Sequence, residues 1–141
     1  MKRQIIYFLV IFLSIVPACR KSSSQLPKKE EAFFSSKEEA ADKVNWFTRQ
    51  QTRLVKAGNI TTISYIHTTT KTYAFVFYET GEGPQNLVIT RSYSSSGEVQ
   101  NESASTCNGA TCNCQVQATI DNQGNVAIGC SCSSCTLVSS Y

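Results

Sequence analysis

The chain has 141 residues, 41% of them hydrophobic and 16% charged, with a formal net charge of +3. That is the size of one small domain, too apolar for full disorder and too weakly basic for a nucleic-acid binder, which would carry a basic stripe or patch. Seven cysteines beside a single histidine and a single methionine exclude a His-rich metal centre and a haem held by several histidines.

Lys2 and Arg3 place positive charge at the start, and Ile5–Val16 follows as an apolar run of twelve residues broken only by Ser14. A bilayer span needs about 20 such residues, whereas twelve suit the hydrophobic core of a secretory signal. The run closes on Val16-Pro17-Ala18-Cys19. A basic start, a short apolar run and a small residue directly before a cysteine resemble the lipobox signal of bacterial envelope lipoproteins. The Ile- and Phe-rich run and the serines after the cysteine look similar to those of Bacteroidetes-type bacteria.

The resemblance covers residues 1–19 only. It departs at Pro17, where Ser, Thr, Ala or Val is commoner, so an ordinary cleavable signal is the competing reading. It implies that residues 1–18 are a signal peptide and that Cys19 carries lipid. The product would be anchored to the membrane without spanning it, in the bacterial envelope and at the outer membrane facing the periplasm. Two or more acyl chains make such an anchor stable, at about 0.8 kcal/mol per buried methylene.

Residues 19–34 are expected to be anchor and flexible tether. Within them Arg20–Glu31 has six charges, three serines, one Pro and one Leu, too little apolar surface to fold. Extended, these twelve residues reach roughly 40 Å. Residues 20–59 hold nine Lys or Arg against five Asp or Glu, and residues 60–141 hold two against five. A basic segment beside an anchor suits anionic headgroups. Here Glu30, Glu31, Glu38 and Glu39 interrupt it, which reads as a solvated tether and helix face.

The single domain is placed at 35–141. It opens on an amphipathic helix over Ser36–Ala57, with Ser36 as N-cap and Glu39 completing a capping box. Ala40, Val44, Phe47, Gln51 and Leu54 share one face. Glu38, Glu39 and Asp42 near its start and Arg53 and Lys56 near its end suit the helix dipole, and Gly58-Asn59 stops it. Trp46 falls off the stripe, at a flank of the core or half exposed.

Beyond Gly58, strand signals repeat. Ile60–His67 and Thr72–Glu79 read as a hairpin or meander pair across Thr68–Lys71. The run Tyr73–Tyr78, apolar on both faces, predicts a central strand of the sheet. Gly81–Pro84 reads as a loop, Leu87–Arg91 as the next strand, the stretch around Val99 as a weaker strand, and Asn101–Ala110 as a small, polar loop. Ser94–Glu98 and Asp121–Asn125 both suit a three-residue hairpin loop with a glycine in the left-handed position. The fold class is therefore α+β: an N-terminal helix on an antiparallel meander of about five to seven strands, closed by a Cys-rich hairpin.

Six cysteines lie in the Cys-rich part, 107–135: Cys107, Cys112, Cys114, Cys130, Cys132 and Cys135. The Gly124 turn sets the register of their hairpin, so that Ile120 faces Val126, Ala118 faces Ile128 and Val116 faces Cys130. The alternation of apolar and polar residues supports the same register. Continued by one pair, the ladder sets Cys114 opposite Cys132 at a Cα distance of about 4.5 Å, within disulfide range. A disulfide framework with Cys114–Cys132 as its best pair is the preferred reading, since an exported protein meets an oxidising compartment and six is even once Cys19 carries lipid. The competing readings are a Cu or Zn thiolate site made of the same six cysteines and thiol–disulfide exchange at Cys132-Ser133-Ser134-Cys135, which would need a helix start that the following Thr136-Leu137-Val138 does not provide.

No phosphate loop, nucleophile elbow or acid–base pair emerges. His67 reads as a sheet residue, Glu79 and Glu82 as solvated turn residues, and no cofactor is implied. The expectation is a non-enzymatic binding or structural module, lipid-anchored in the cell envelope. Its 18 serines and 14 threonines suit an envelope protein or a glycan as partner. The alternative is a periplasmic Cu- or Zn-binding protein.

Overall fold

The computed structural model describes residues 33–50 and 58–141. The expectations for the signal peptide, for Cys19, for the tether up to residue 32 and for helix residues 51–57 fall outside the described residues. The elements are helix α1 (Lys37–Gln50) and strands β1 (Ile60–His67), β2 (Lys71–Thr80), β3 (Gly83–Tyr93), β4 (Val99–Asn108), β5 (Val116–Ile120), β6 (Val126–Cys130) and β7 (Thr136–Ser140). All strand pairs are antiparallel. The seven strands form two sheets where one meander was expected: a five-stranded sheet in the order β1-β2-β3-β4-β7, and a separate β5-β6 hairpin.

The described fold begins before residue 35. Phe33 and Phe34, assigned by position to the tether, are core residues at 1% and 9% exposure. Consequently α1 is not the first folded element, and two aromatic residues wedge in ahead of it. Its start follows the capping logic with one change. The Glu39 amide donates to the Ser36 hydroxyl at 3.1 Å, but the Glu39 carboxylate reaches one residue further back, accepting from the Ser35 amide at 2.7 Å and its hydroxyl at 2.6 Å. Ala40, Val44 and Phe47 are buried as the stripe requires, and Thr48 joins them. Thr48 can sit there because its hydroxyl donates back to the Val44 carbonyl at 2.9 Å. Trp46 is half exposed.

The large sheet is covered on both faces. Strand alternation sends Ala74, Val76 and Tyr78 of β2 with Leu87 and Ile89 of β3 toward α1, Phe33 and Phe34. Tyr73 and Phe75 of β2, with Val88 of β3, point the other way, toward Val116, Cys107 and Cys114. This is why Tyr73–Tyr78 is apolar on both sides: β2 lies between two cores, although it is second in the sheet and not its centre. The result is three layers, α1 over the sheet over the β5-β6 hairpin.

Two loop expectations change. Gly81–Pro84 shrinks to a two-residue turn, because Pro84 already pairs with Glu79 and Gly83 with Thr80. Asn101–Ala110 is for the most part the strand β4, paired to β3 on one side and β7 on the other. Its small residues, with Ala104 fully buried, let it sit inside the sheet, and ladder bonds on both sides compensate for low strand propensity. The two glycine turns have the expected geometry. Gly97 and Gly124 adopt φ of 87° and 82°, and each amide donates to the carbonyl three residues back, on Ser94 at 2.9 Å and Asp121 at 3.0 Å.

Candidate functional site: the cysteine cluster

The hairpin register agrees with the sequence reading at every pair from Ile120↔Val126 to Val116↔Cys130. Beyond Cys130 the ladder fails, and with it the Cys114–Cys132 pairing. The Ser131 amide still donates to the Gln115 carbonyl at 2.9 Å. The Gln115 amide, however, donates to the Ser131 hydroxyl at 3.0 Å, and that hydroxyl donates to the Asn113 carbonyl at 3.2 Å. A side-chain oxygen thus stands where a backbone carbonyl would continue the ladder. The chain then turns, with the Cys135 amide donating to the Cys132 carbonyl at 3.1 Å. Cys132 is swung away from Cys114.

The disulfides are Cys107–Cys130, Cys112–Cys132 and Cys114–Cys135, with Cα separations of 5.7, 6.9 and 5.8 Å. They divide into two groups. Cys107–Cys130 joins the end of β4 to the end of β6, tying the middle layer to the hairpin layer. The other two bonds join the 109–115 loop to the 131–135 turn and lie side by side. Cys112 Sγ is 3.8 Å from Cys114 Sγ and 3.2 Å from Cys135 Sγ. The Thr111 hydroxyl donates to that of Ser134 at 2.7 Å, lacing the same two segments. Gly109 makes the close packing possible: a Cβ there would stand 2.5 Å from Cys114 Sγ and 3.3 Å from the Ser134 carbonyl oxygen. The six-cysteine metal site considered from the sequence is therefore not assembled as one unit, since Cys107 and Cys130 stand in the ladder.

Asn86 positions this layer, and sequence reasoning missed it. Its side-chain amide donates to the Val116 carbonyl at 2.9 Å, and its oxygen accepts from the Val116 amide at 2.8 Å. A buried β3 side chain so imitates a neighbouring strand and clips β5 to the large sheet. The available signal was an Asn directly preceding the buried run Leu87-Val88-Ile89, which invites the question of what satisfies it.

A cleft of about 390 Å³ lies beside the cluster, between Thr48, Tyr78, Asn86, Thr106 and the Cys112–Cys114 stretch. Burial pushes the Tyr78 hydroxyl up to about 12, so at neutral pH it is a neutral hydrogen-bonding group. His67 lies in β1 with Nδ1 3.1 Å from the Thr72 hydroxyl and its ring stacked on Tyr65, and Glu79 and Glu82 flank the turn after β2. None of these three belongs to the cysteine cluster, although Glu82 lines the cleft beside it. Among the described residues, no helix is long and apolar enough to cross a membrane. Comparison with protein-family models, with characterised proteins and with solved structures finds no match to this chain.

Proposed function

We propose that this protein is a small lipid-anchored, non-enzymatic module of the bacterial cell envelope, tethered through Cys19 and holding a disulfide-stitched domain outside the cytoplasm to bind an envelope protein or glycan. The observation that carries the reading is the cysteine account. Six of the seven cysteines are joined in three disulfides. The one left over is Cys19, at the end of the apolar run and directly after Ala18. Disulfides at this density suit an oxidising compartment, and a single unpaired cysteine at that position suits lipid attachment. The Ser- and Thr-rich exposed strand positions, such as Thr62, Ser64, Thr119 and Thr136, supply hydrogen-bonding surface for a polar partner.

The test is expression of the full chain in a bacterium with labelled palmitate, followed by membrane fractionation and sequencing of the mature amino terminus. The expected product sediments with the envelope, carries label, and has Cys19 as its first residue. Cys19→Ser should abolish labelling and leave soluble or uncut protein. A wild-type chain that is unlabelled, soluble and cut elsewhere overturns the reading.

A further inference from the structure

We propose that Cys112, Cys114, Cys132 and Cys135 form a redox-gated site for one soft, thiolate-seeking cation of the Zn²⁺ type, closed while their two disulfides are intact and opened by reduction, with Cys107–Cys130 left as a fixed staple. This goes beyond the envelope reading and does not depend on the lipid anchor.

The sulfur geometry carries the proposal. Zinc bound by four thiolates is tetrahedral with Zn–S bonds of about 2.3 Å, which sets the sulfurs about 3.8 Å apart. Cys112 Sγ already stands 3.8 Å from Cys114 Sγ and 3.2 Å from Cys135 Sγ. The sulfurs of Cys112, Cys132 and Cys135 all lie within 4.8 Å of one another. Cys114 Sγ, bonded to Cys135, lies outside that mutually close set, so the two disulfides lie side by side and closing the tetrahedron requires Cys132 Sγ to move toward Cys114 Sγ. Breaking them lets each bonded pair relax outward toward the spacing that the close unbonded pairs already have. An all-sulfur tetrahedron selects zinc or an iron–sulfur centre over harder cations.

The four residues are also held by hydrogen bonds beside the sulfur bonds. The Ser131 hydroxyl bridges Gln115 and Asn113, the Thr111 and Ser134 hydroxyls join loop to turn, and a backbone bond closes the Cys132–Cys135 turn. Asn86 fixes Val116 just beyond Cys114. Each group has one buried member, Cys107 in the staple and Cys114 in the cluster, and Cys130 is half-buried. Cys112, Cys132 and Cys135 are half-buried, open to a reductant and a cation, whereas Cys114 is buried and anchors the group in the core. Cys107–Cys130 is held between two strands of different sheets, Cys107 fixed by its ladder with β7 and Cys130 by its ladder with β5.

The chemistry balances as follows. Each disulfide takes up two electrons and two protons from a dithiol, which leaves as its own disulfide. The four thiols then release up to four protons as they bind one divalent cation, so the loaded site carries two negative charges.

The test titrates the full chain, purified with all three disulfides formed, with a dithiol under anaerobic conditions and adds one equivalent of Zn²⁺ or Co²⁺. Native mass spectrometry counts bound metal and remaining disulfides together, and Co²⁺ reports thiolate ligation by charge-transfer absorption. The expected species holds one metal and one disulfide, Cys107–Cys130, while the oxidised chain holds no metal. Cys112→Ser with Cys132→Ser should lose the one-to-one complex, and Cys107→Ser with Cys130→Ser should keep it. A reduced wild-type chain without metal, an oxidised chain that binds it, or binding that requires Cys107 and Cys130 overturns the proposal. If reduction unfolds the chain, circular dichroism decides: restoration of strand signal by Zn²⁺ supports the site, and a chain that stays unfolded with Zn²⁺ present rejects it.

Discussion

The two faces of the five-stranded sheet are held by different means. Beneath α1, Ala40, Val44, Ala74, Val76, Leu87, Ile89 and Ala104 are all completely buried, and packing carries most of the attachment. On the opposite face the β5-β6 hairpin has two strands of five residues, and Ile120 at its tip is 59% exposed. An isolated two-stranded hairpin is marginal in water. This one is joined to the rest by Cys107–Cys130, by the two bonds of the sulfur cluster and by the Asn86 clip. The contrast teaches that covalent and polar fastenings collect where apolar burial is too thin to hold a layer.

The largest expected effect falls on the helix face. Phe47→Ala removes a ring that is 3% exposed and should cost about 3–5 kcal/mol, as core Phe truncations do. Because that core underlies β2 and β3, hydrogen exchange should quicken in both strands together. A loss below about 1 kcal/mol in denaturant unfolding, far short of a buried-ring truncation, would mean that α1 contributes little and that the disulfides hold both faces.

Asn86→Ala tests the other face. It leaves the Val116 amide and carbonyl without their partner in a site where Val116 is 3% exposed. At about 1–3 kcal/mol per unsatisfied group, a total of about 2–4 kcal/mol is expected. Exchange should quicken at β5 and β6 and change little at β2 and β3, since the disulfides keep the hairpin tethered while it loosens. Uniform acceleration across the whole sheet would erase the distinction between the faces.

The same contrast explains what could be read from the chain. Local rules carried α1, the Gly97 and Gly124 turns and the β5-β6 register, because a cap, a left-handed glycine and apolar alternation each act within a few residues. The failures are non-local. Beyond its start at Val99, β4 looked like a loop because its strand identity comes from the partners it finds in β3 and β7. Phe33 and Phe34 looked like tether because a charged stretch precedes them, and only the α1 face gives them a place. The disulfide pairing required knowing that Ser131 interrupts the ladder, a three-way hydrogen bond that no pattern of apolar residues encodes. The six cysteines were legible as a disulfide-forming set, but their partition into one staple and one cluster was not.

The smallest expected effect sharpens the comparison from its polar side. Even the helix face contains a cluster of three charged side chains: Glu102 accepts from Lys43 and Arg91, and Arg91 also donates to the Phe33 carbonyl at 2.7 Å with its guanidinium 4.1 Å from the Phe33 ring centre. Partial burial pushes the Glu102 carboxyl up, but the hydrogen bonds and positive charges of Lys43 and Arg91 outweigh it and hold the group below the usual carboxylate range. A carboxyl with a depressed folded-state pKa contributes stability that is fully present above its unfolded value, about 4.3, and is lost as pH falls through the folded one. Glu102→Gln should therefore cost about 1–2 kcal/mol at neutral pH, at the low end for hydrogen bonds to charged groups, because Glu102 keeps 23% side-chain exposure. The gap between wild type and variant should close below about pH 4.3. Glu38, Glu39 and Asp121 are also held low by local hydrogen bonds, so the wild-type curve alone does not isolate the site, whereas the difference curve does. A difference that is flat from pH 7 to pH 3 would show that the Arg91–Glu102 pair acts through shape and packing, making the helix face wholly apolar in its energetics.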